Sequence, residues 1–213
     1  MAAVIPLSAL ESRPRHEVDR EADARPKALN ERVVPGRLSE LAGGRSSGRT
    51  TAAVSLVIRA QSLDEPVVWV QPRNGSLYPP DLADSGVDLD ALVVVNVPPE
   101  PRHLARAAEL LLRSGAFGLV VVDLTAGVPR GDAWQGRLSA LARQHDCRVV
   151  LLSEVTRCAE EAPSLGPMVG LRVMPSCERR APGRYVVSHR LLKDKLGGPP
   201  LAPDKRRAPW GLP

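Results

Sequence analysis

Gly43-Gly44-Arg45-Ser46-Ser47-Gly48-Arg49-Thr50-Thr51 is the stretch on which the fold turns. It fits the pattern GxxxxGK[ST] at every fixed position but one, where Arg49 stands in place of lysine. Such a loop holds phosphates with backbone N–H groups that its glycines leave accessible. A helix N-terminus lies behind them, a lysine reaches the β and γ oxygens, and a hydroxyl binds Mg²⁺. Gly43, Gly48 and Thr50 meet those needs, and Ser46, Ser47 and Thr51 complete the candidate nucleotide contacts. Arg49 keeps the positive charge, but its planar, longer guanidinium is not the compact point charge that lysine offers. ATP or ADP with Mg²⁺ is therefore expected to bind weakly at best, and fast hydrolysis is not expected.

A loop of this kind joins a strand to a helix, and the flanking sequence supplies both. Arg37 to Ala42 reads as the strand and Thr50 to Ser62 as the helix. Four more short β-rich runs follow at Pro66 to Gln71, Ala91 to Val97, Phe117 to Leu124 and Cys147 to Ser153, several of them nearly continuous Val, Leu and Ile. Such runs mark strands buried on both faces. Between them, Glu100 to Arg113 begins with Pro101 in its first turn and meets Gly115, and Asp132 to His145 precedes the next strand. Both carry helix start and stop signals. Strands alternating with helices predict an α/β fold with a central, mostly parallel sheet. Gly170 to Met174 and Arg184 to His189 read as antiparallel strands at the sheet edge. Residues 1–32 read as a charged arm, 33–195 as the core, and 196–213 as a proline-rich basic tail outside the core.

A phosphate loop with Mg²⁺ also needs an acidic residue ending a hydrophobic strand, and Leu119-Val120-Val121-Val122-Asp123 provides one. Asp123 would hold the ion together with Thr50, although a strand-end aspartate more commonly caps a turn. The end of the Pro66 to Gln71 strand, where a carboxylate would orient an attacking water, offers Gln71, Pro72, Arg73 and Asn74 instead. No catalytic residue is assigned.

The formal charge of +5 is unevenly spread. Residues 1–35 carry 6 basic and 6 acidic groups, 36–165 carry 13 and 15, and 166–213 carry 10 and 3. An anionic partner would thus be sought along the last 48 residues, where Arg179, Arg180, Arg184, Arg190, Lys193 and Lys195 are candidates for contact with DNA or a protein interface. Twenty-five of the 29 basic residues are arginine, a skew that codon composition alone can produce. Three Trp, two Tyr and one Phe are too few for a base-stacking platform, so contact with nucleic acid would be weak, non-specific and directed at phosphates.

Composition removes further classes. The longest apolar runs fall far short of the roughly 18 residues of a membrane span, and Met1 to Leu10 lacks the basic opening of a secretory signal. A cytoplasmic protein is expected. Cys147, Cys158 and Cys177 supply neither a disulfide framework nor a metal knuckle, and the four histidines have no ligand spacing. Glu160-Glu161 reads as a solvated loop.

These motifs fall into a longer ordered pattern that resembles the RecA family of recombinases. Gly36-Arg37 leads into the glycine loop. Gly86-Val87-Asp88-Leu89-Asp90, Arg113-Ser114-Gly115-Ala116, Val120-Val121-Val122-Asp123, Ser139-Ala140-Leu141-Ala142-Arg143 and Lys193-Asp194-Lys195 follow in family order. The resemblance spans roughly residues 33–198 and implies a RecA-like core. It also locates the departures. The family's catalytic glutamate falls near Arg73 and its γ-phosphate-sensing glutamine near Glu154, the DNA-binding loops after Asp123 and after Glu154 are shortened, and the family's C-terminal domain has no counterpart. Lys193 and Lys195 match lysines that reach nucleotide across a subunit interface in the family's filament.

One branch fits better still. Val67-Val68-Trp69-Val70, Leu77-Tyr78-Pro79-Pro80, Gly86-Val87-Asp88 and Leu110-Leu111-Leu112-Arg113-Ser114-Gly115-Ala116 resemble the ImuA proteins, accessory factors of SOS mutagenesis. That resemblance implies a non-enzymatic adaptor in translesion synthesis. Its partners would be the RecA recombinase, a Y-family-like mutasome protein and an error-prone polymerase. A weak DNA-dependent ATPase and a small self-filamenting recombinase are the alternatives.

Overall fold

Strand β1 (Leu38–Gly43) is buried along its whole length, as are β2 (Val67–Pro72) and β4 (Leu119–Asp123). The remaining strands are β3 (Leu92–Val97), β5 (Arg148–Glu154), β6 (Val169–Ala181), β7 (Arg184–Asp194) and β8 (Asp204–Arg207). The structure, a computed structural model, describes residues 26–75, 77–155 and 164–207. All eight strands form one sheet in the order β3-β2-β4-β5-β1-β6-β7-β8. Pairing is parallel from β3 through β6, and β6, β7 and β8 pair antiparallel. The five parallel α/β strands read from the sequence are all present, as is the antiparallel pair that follows them.

Alternation along each strand divides the core in two. Val67, Trp69, Val121, Val150 and Leu152 face one side, where helices α1 (Leu29–Arg32) and α2 (Arg49–Gln61) pack. Val68, Val70, Val120, Val122 and Leu151 face the other, against α4 (Pro101–Arg113) and α5 (Ala133–Gln144). A valine fully removed from water contributes roughly 1.5–3 kcal/mol, so the Val120-Val121-Val122 run anchors both layers at once. Helix α4 starts at Pro101, whose missing N–H costs nothing in a first turn, and buries Leu104, Ala105, Ala108 and Leu112 at helical spacing. Gly115, at φ +67°, ends it in a conformation where a Cβ would also run into His145. A short helix, α3 (Pro79–Asp84), lies in the β2–β3 connection and was not read from the sequence.

Both ends of the core differ from the sequence reading. The chain joins the core at Lys27, whose backbone bridges Leu201, so the core starts before residue 33. The tail likewise does not stand apart. Leu201 is buried and β8 pairs with β7 at Arg184↔Arg207 through Val187↔Asp204, so residues up to Arg207 belong to the sheet. The reason is tertiary. β7 would otherwise present an open edge, and a polar segment can pair its backbone there without any apolar pattern of its own. Buried Asp194 closes the joint, with Arg32 at 2.6 Å and Arg37 at 2.7 Å.

Candidate functional site

The glycine loop sits where β1 hands over to α2, at the C-terminal end of the parallel strands, as ligand loops do in open α/β sheets. Gly48 caps α2 in the left-handed region at φ 82°, and a Cβ there would meet Cys177 Cβ at 3.1 Å and Val187 at 3.3 Å. Gly43 is equally constrained, since a Cβ would strike the Ser47 hydroxyl. The Ser47 Oγ is buried there without a hydrogen-bond partner. Both glycines thus stand where a larger residue would be crowded.

Its charge is not free. The Arg49 guanidinium donates to the Gly43 carbonyl and, at 3.4 Å, to the Ser153 carbonyl, and it lies 3.5 Å from a Glu154 carboxylate oxygen. Arg45 approaches the same carboxylate at 4.0 Å from the solvent side. Register explains the meeting, because Gly43 on β1 lies opposite Glu154 on β5. Two departures from the family pattern, Arg49 for lysine and Glu154 for glutamine, thus partner each other. The Glu154 carboxylate faces the loop from β5, where it partners Arg49 and would repel an incoming phosphate.

Asp123 ends β4 as expected, is buried, and accepts a hydrogen bond from the Thr125 N–H at 3.0 Å. This is the turn-capping role the sequence left open beside metal binding. Among the described residues, no group of three or more His, Cys, Asp or Glu side chains could enclose a metal ion. With Arg49 satisfied internally and one Asp123 oxygen used by a turn, the residues fit a phosphate loop in shape but not in charge. Arg73 is exposed just past β2, and Gln71 donates to the Asn96 side chain at 3.0 Å.

The basic candidates separate into two groups. Arg179, Arg180 and Arg184 lie at the β6–β7 turn, where Arg180 pairs with Glu178 at 2.8 Å and Arg184 lies opposite Arg207. Lys193 and Lys195 lie at the far end of β7, with Arg190 between. At roughly 3.3 Å per residue the two ends of β7 are about 30 Å apart, so the candidates lie in two separate groups. Lys195 donates to the Pro167 carbonyl at 2.5 Å and Lys193 approaches the Gly166 carbonyl at 3.5 Å. Burial, with Lys195 beside it, lowers the Lys193 pKa. Lys193 is level with Glu40 near the middle of β1 and Lys195 lies towards the start of that strand, away from the chain's own glycine loop.

A buried ion pair escaped the sequence reading. Glu40, 1% exposed in the middle of β1, receives a hydrogen bond from Ser153 Oγ at 2.7 Å and lies 3.4 Å from Arg172 on β6. The Leu165 N–H also donates to it, at 3.2 Å. The signal was present, since a charged residue interrupts an apolar run at Leu38-Ser39-Glu40-Leu41, but its partner is 132 residues away in sequence. Burial pushes the Cys147 thiol up to about 12, as an inert core thiol requires. His16, Cys158 and Glu160-Glu161 lie outside the described residues. No helix among the described residues is long and apolar enough to cross a membrane.

A parallel sheet with a glycine loop between its strand and helix defines the class of phosphate-loop α/β cores. Within it, residues 27–159 match the family model described as RecA N-terminal domain, more than half of the chain, and the protein belongs to that family. Among curated relatives, Protein RecA of Nocardioides sp. (strain ATCC BAA-499 / JS614) is 38% identical over 98 residues, covering 46% of this chain and 27% of that protein. Protein RecA of Mycobacterium leprae is 34% identical over 117 residues, covering 51% and 16%. Protein RecA of Haemophilus ducreyi is 27% identical over 139 residues, covering 56% and 37%. The chain therefore spans well under half the length of these relatives.

Proposed function

We propose that this chain is an ImuA-type accessory factor in damage-induced translesion synthesis, binding a recombinase and error-prone polymerase partners without turning over ATP. The observation that carries the reading is the Arg49–Glu154 pair, which engages the cation at the lysine position of the phosphate loop with an internal carboxylate. Arg73, where the resemblance would put a glutamate, points the same way. Adaptor work needs a surface, and β3 offers one. It is an edge strand whose Val93 and Val94 are 47% and 39% exposed, a template onto which a partner strand can add. Lys193 and Lys195 supply a second contact, directed away from the chain's own loop.

The test is a pull-down at low salt with the cognate recombinase and mutagenesis polymerase, alongside ATP turnover with and without single-stranded DNA. Direct binding with turnover at background is the expected result. Retained Gly48 geometry, Thr50 and Asp123 support the alternative of a weak DNA-dependent ATPase. A turnover rate that disappears in Thr50→Ala would establish that alternative, and DNA-dependent filaments of the chain alone would establish a small recombinase.

A further inference from the structure

A concavity of about 680 Å³ opens between α4, α5 and the segment after β4, on the sheet face opposite α2. Its floor is apolar, formed by Ala105, Val128, Pro129 and Trp134. Four arginines rim it, Arg102, Arg106, Arg130 and Arg137, against two carboxylates, Glu100 and Glu109. The arginines are not equivalent. Arg106 and Arg137 contact Glu109 at 3.0 and 3.1 Å, and Arg113 reaches it at 2.7 Å from outside the concavity. This shared carboxylate ties α4 to α5 and fixes the groove's width. Burial opposes the Glu109 charge, but the Arg137 hydrogen bond and the Arg106 and Arg113 charges hold its carboxyl below the usual range. Three cations around one anion leave a positive excess. Arg102 and Arg130 are exposed and make no ion pair or hydrogen bond among the described residues.

Trp134, 4% exposed, backs the concavity with its indole Nε1 closed off from solvent, so the apolar contact open to a ligand is Val128, 41% exposed. Apolar surface beside two exposed arginines is what the groove offers.

We propose that this groove receives an acidic peptide segment of a partner protein, with an apolar side chain seated on Val128 and carboxylates meeting Arg102 and Arg130. Nucleic acid fits less well. Glu100 and Glu109 lie within the lining and oppose a continuous phosphate backbone, and the one aromatic ring present is buried rather than offered for stacking. Separate carboxylates on a flexible segment can avoid both glutamates, and arginine forks match them two bonds at a time. This surface is additional to the β3 edge and does not depend on the accessory role proposed above.

The test uses the full chain and a fluorescein-labelled peptide of alternating glutamate and leucine, followed by anisotropy at low salt. A glutamine-for-glutamate peptide and an oligothymidylate of matched charge serve as comparisons. The acidic peptide is expected to bind, with affinity falling as salt rises. The double variant Arg102→Glu/Arg130→Glu is expected to lose roughly tenfold or more, since each reversal replaces an attraction by a repulsion. These side chains are exposed and unpaired, so the thermal midpoint should hold. Failure of the acidic peptide to bind, equal binding of the glutamine peptide, or indifference to the charge reversal overturns the proposal. Preferred binding of oligothymidylate that is lost in the same double variant would overturn it in favour of nucleic acid.

Discussion

At Arg49, one substitution and its answer across the sheet decide how the glycine loop behaves. A guanidinium facing Glu154 at 3.5 Å gains a partner whether or not phosphate is present, so nucleotide would have to displace a made contact and then face a carboxylate. Restoring both positions together is accordingly the informative change. Arg49→Lys with Glu154→Gln is expected to let ATP with Mg²⁺ raise the thermal midpoint by roughly 5–10 °C at saturating ligand, while the native chain shifts little. An equal shift in the native chain would show that the pair does not close the loop. The Glu40–Arg172 pair makes the opposite kind of prediction, about stability alone. Arg172→Met strands a buried carboxylate and should cost about 3–5 kcal/mol in urea unfolding. The double change with Glu40→Gln should recover much of it. A loss below about 1 kcal/mol would mean that the carboxylate finds other compensation. Asp194 adds a pH dependence. Burial raises its pKa, but the Arg37 hydrogen bond, the Leu196 N–H and the Arg32 charge outweigh burial and leave it below the ordinary 3.8. Its folded value is depressed, so its contribution is complete above 3.8 and is lost as pH falls through the lower folded value. Asp194→Asn should flatten the acid limb of stability below pH 3.8, and an unchanged limb would assign that limb to other carboxylates.

Among the elements, the two edges of the sheet are treated differently. β8 covers β7, while β3 leaves Val93 and Val94 open. If the open edge is the docking strand, Val94→Lys should abolish recombinase capture without moving the thermal midpoint, because a lysine on an edge deters strand addition while remaining solvated. Capture by the variant at native strength would place the contact elsewhere. The covered edge should behave conversely. Removing residues from Asp204 onward exposes the β7 backbone and unseats His189, which lies 3.5 Å from Asp204, so the midpoint should fall by several degrees. These edges also mark what the sequence could convey. β2, β4 and β5 were legible because each is a Val- or Leu-rich run buried in the sheet, β3 has the same composition but lies at an open edge instead of being buried on both faces, and α4 was legible because Pro101 and Gly115 bracket a helical stripe. β8 was not legible, since Asp-Lys-Arg-Arg has no apolar alternation and becomes a strand only by pairing with β7. Helix α3 was too short to show a period. At the site, the loop and Asp123 could be read from local motifs, whereas Arg49 meeting Glu154 and Glu40 meeting Arg172 required the register of the folded sheet.

Over the whole molecule, two separate places carry different assets. The C-terminal end of the parallel strands holds a glycine loop whose Arg49 is satisfied internally, and Lys193 and Lys195 lie away from it beside the Gly166 and Pro167 carbonyls. In a head-to-tail assembly each subunit needs a working nucleotide face and a basic face that reaches its neighbour's nucleotide. A chain with only the second can add to one end of a filament but cannot receive the next subunit by the same chemistry. The accessory reading therefore predicts a terminating role rather than incorporation along the length. Sub-stoichiometric amounts of this chain should slow extension of a recombinase filament on single-stranded DNA, measured by labelled subunit addition, and should leave preformed filaments intact. Lys193→Ala/Lys195→Ala should remove the effect while Val94→Lys tests the edge contribution separately, so the basic face and the apolar edge can each be assigned. Incorporation of labelled chain throughout the filament, in proportion to its concentration, would contradict the terminating role and require that its own loop accept a neighbour after all.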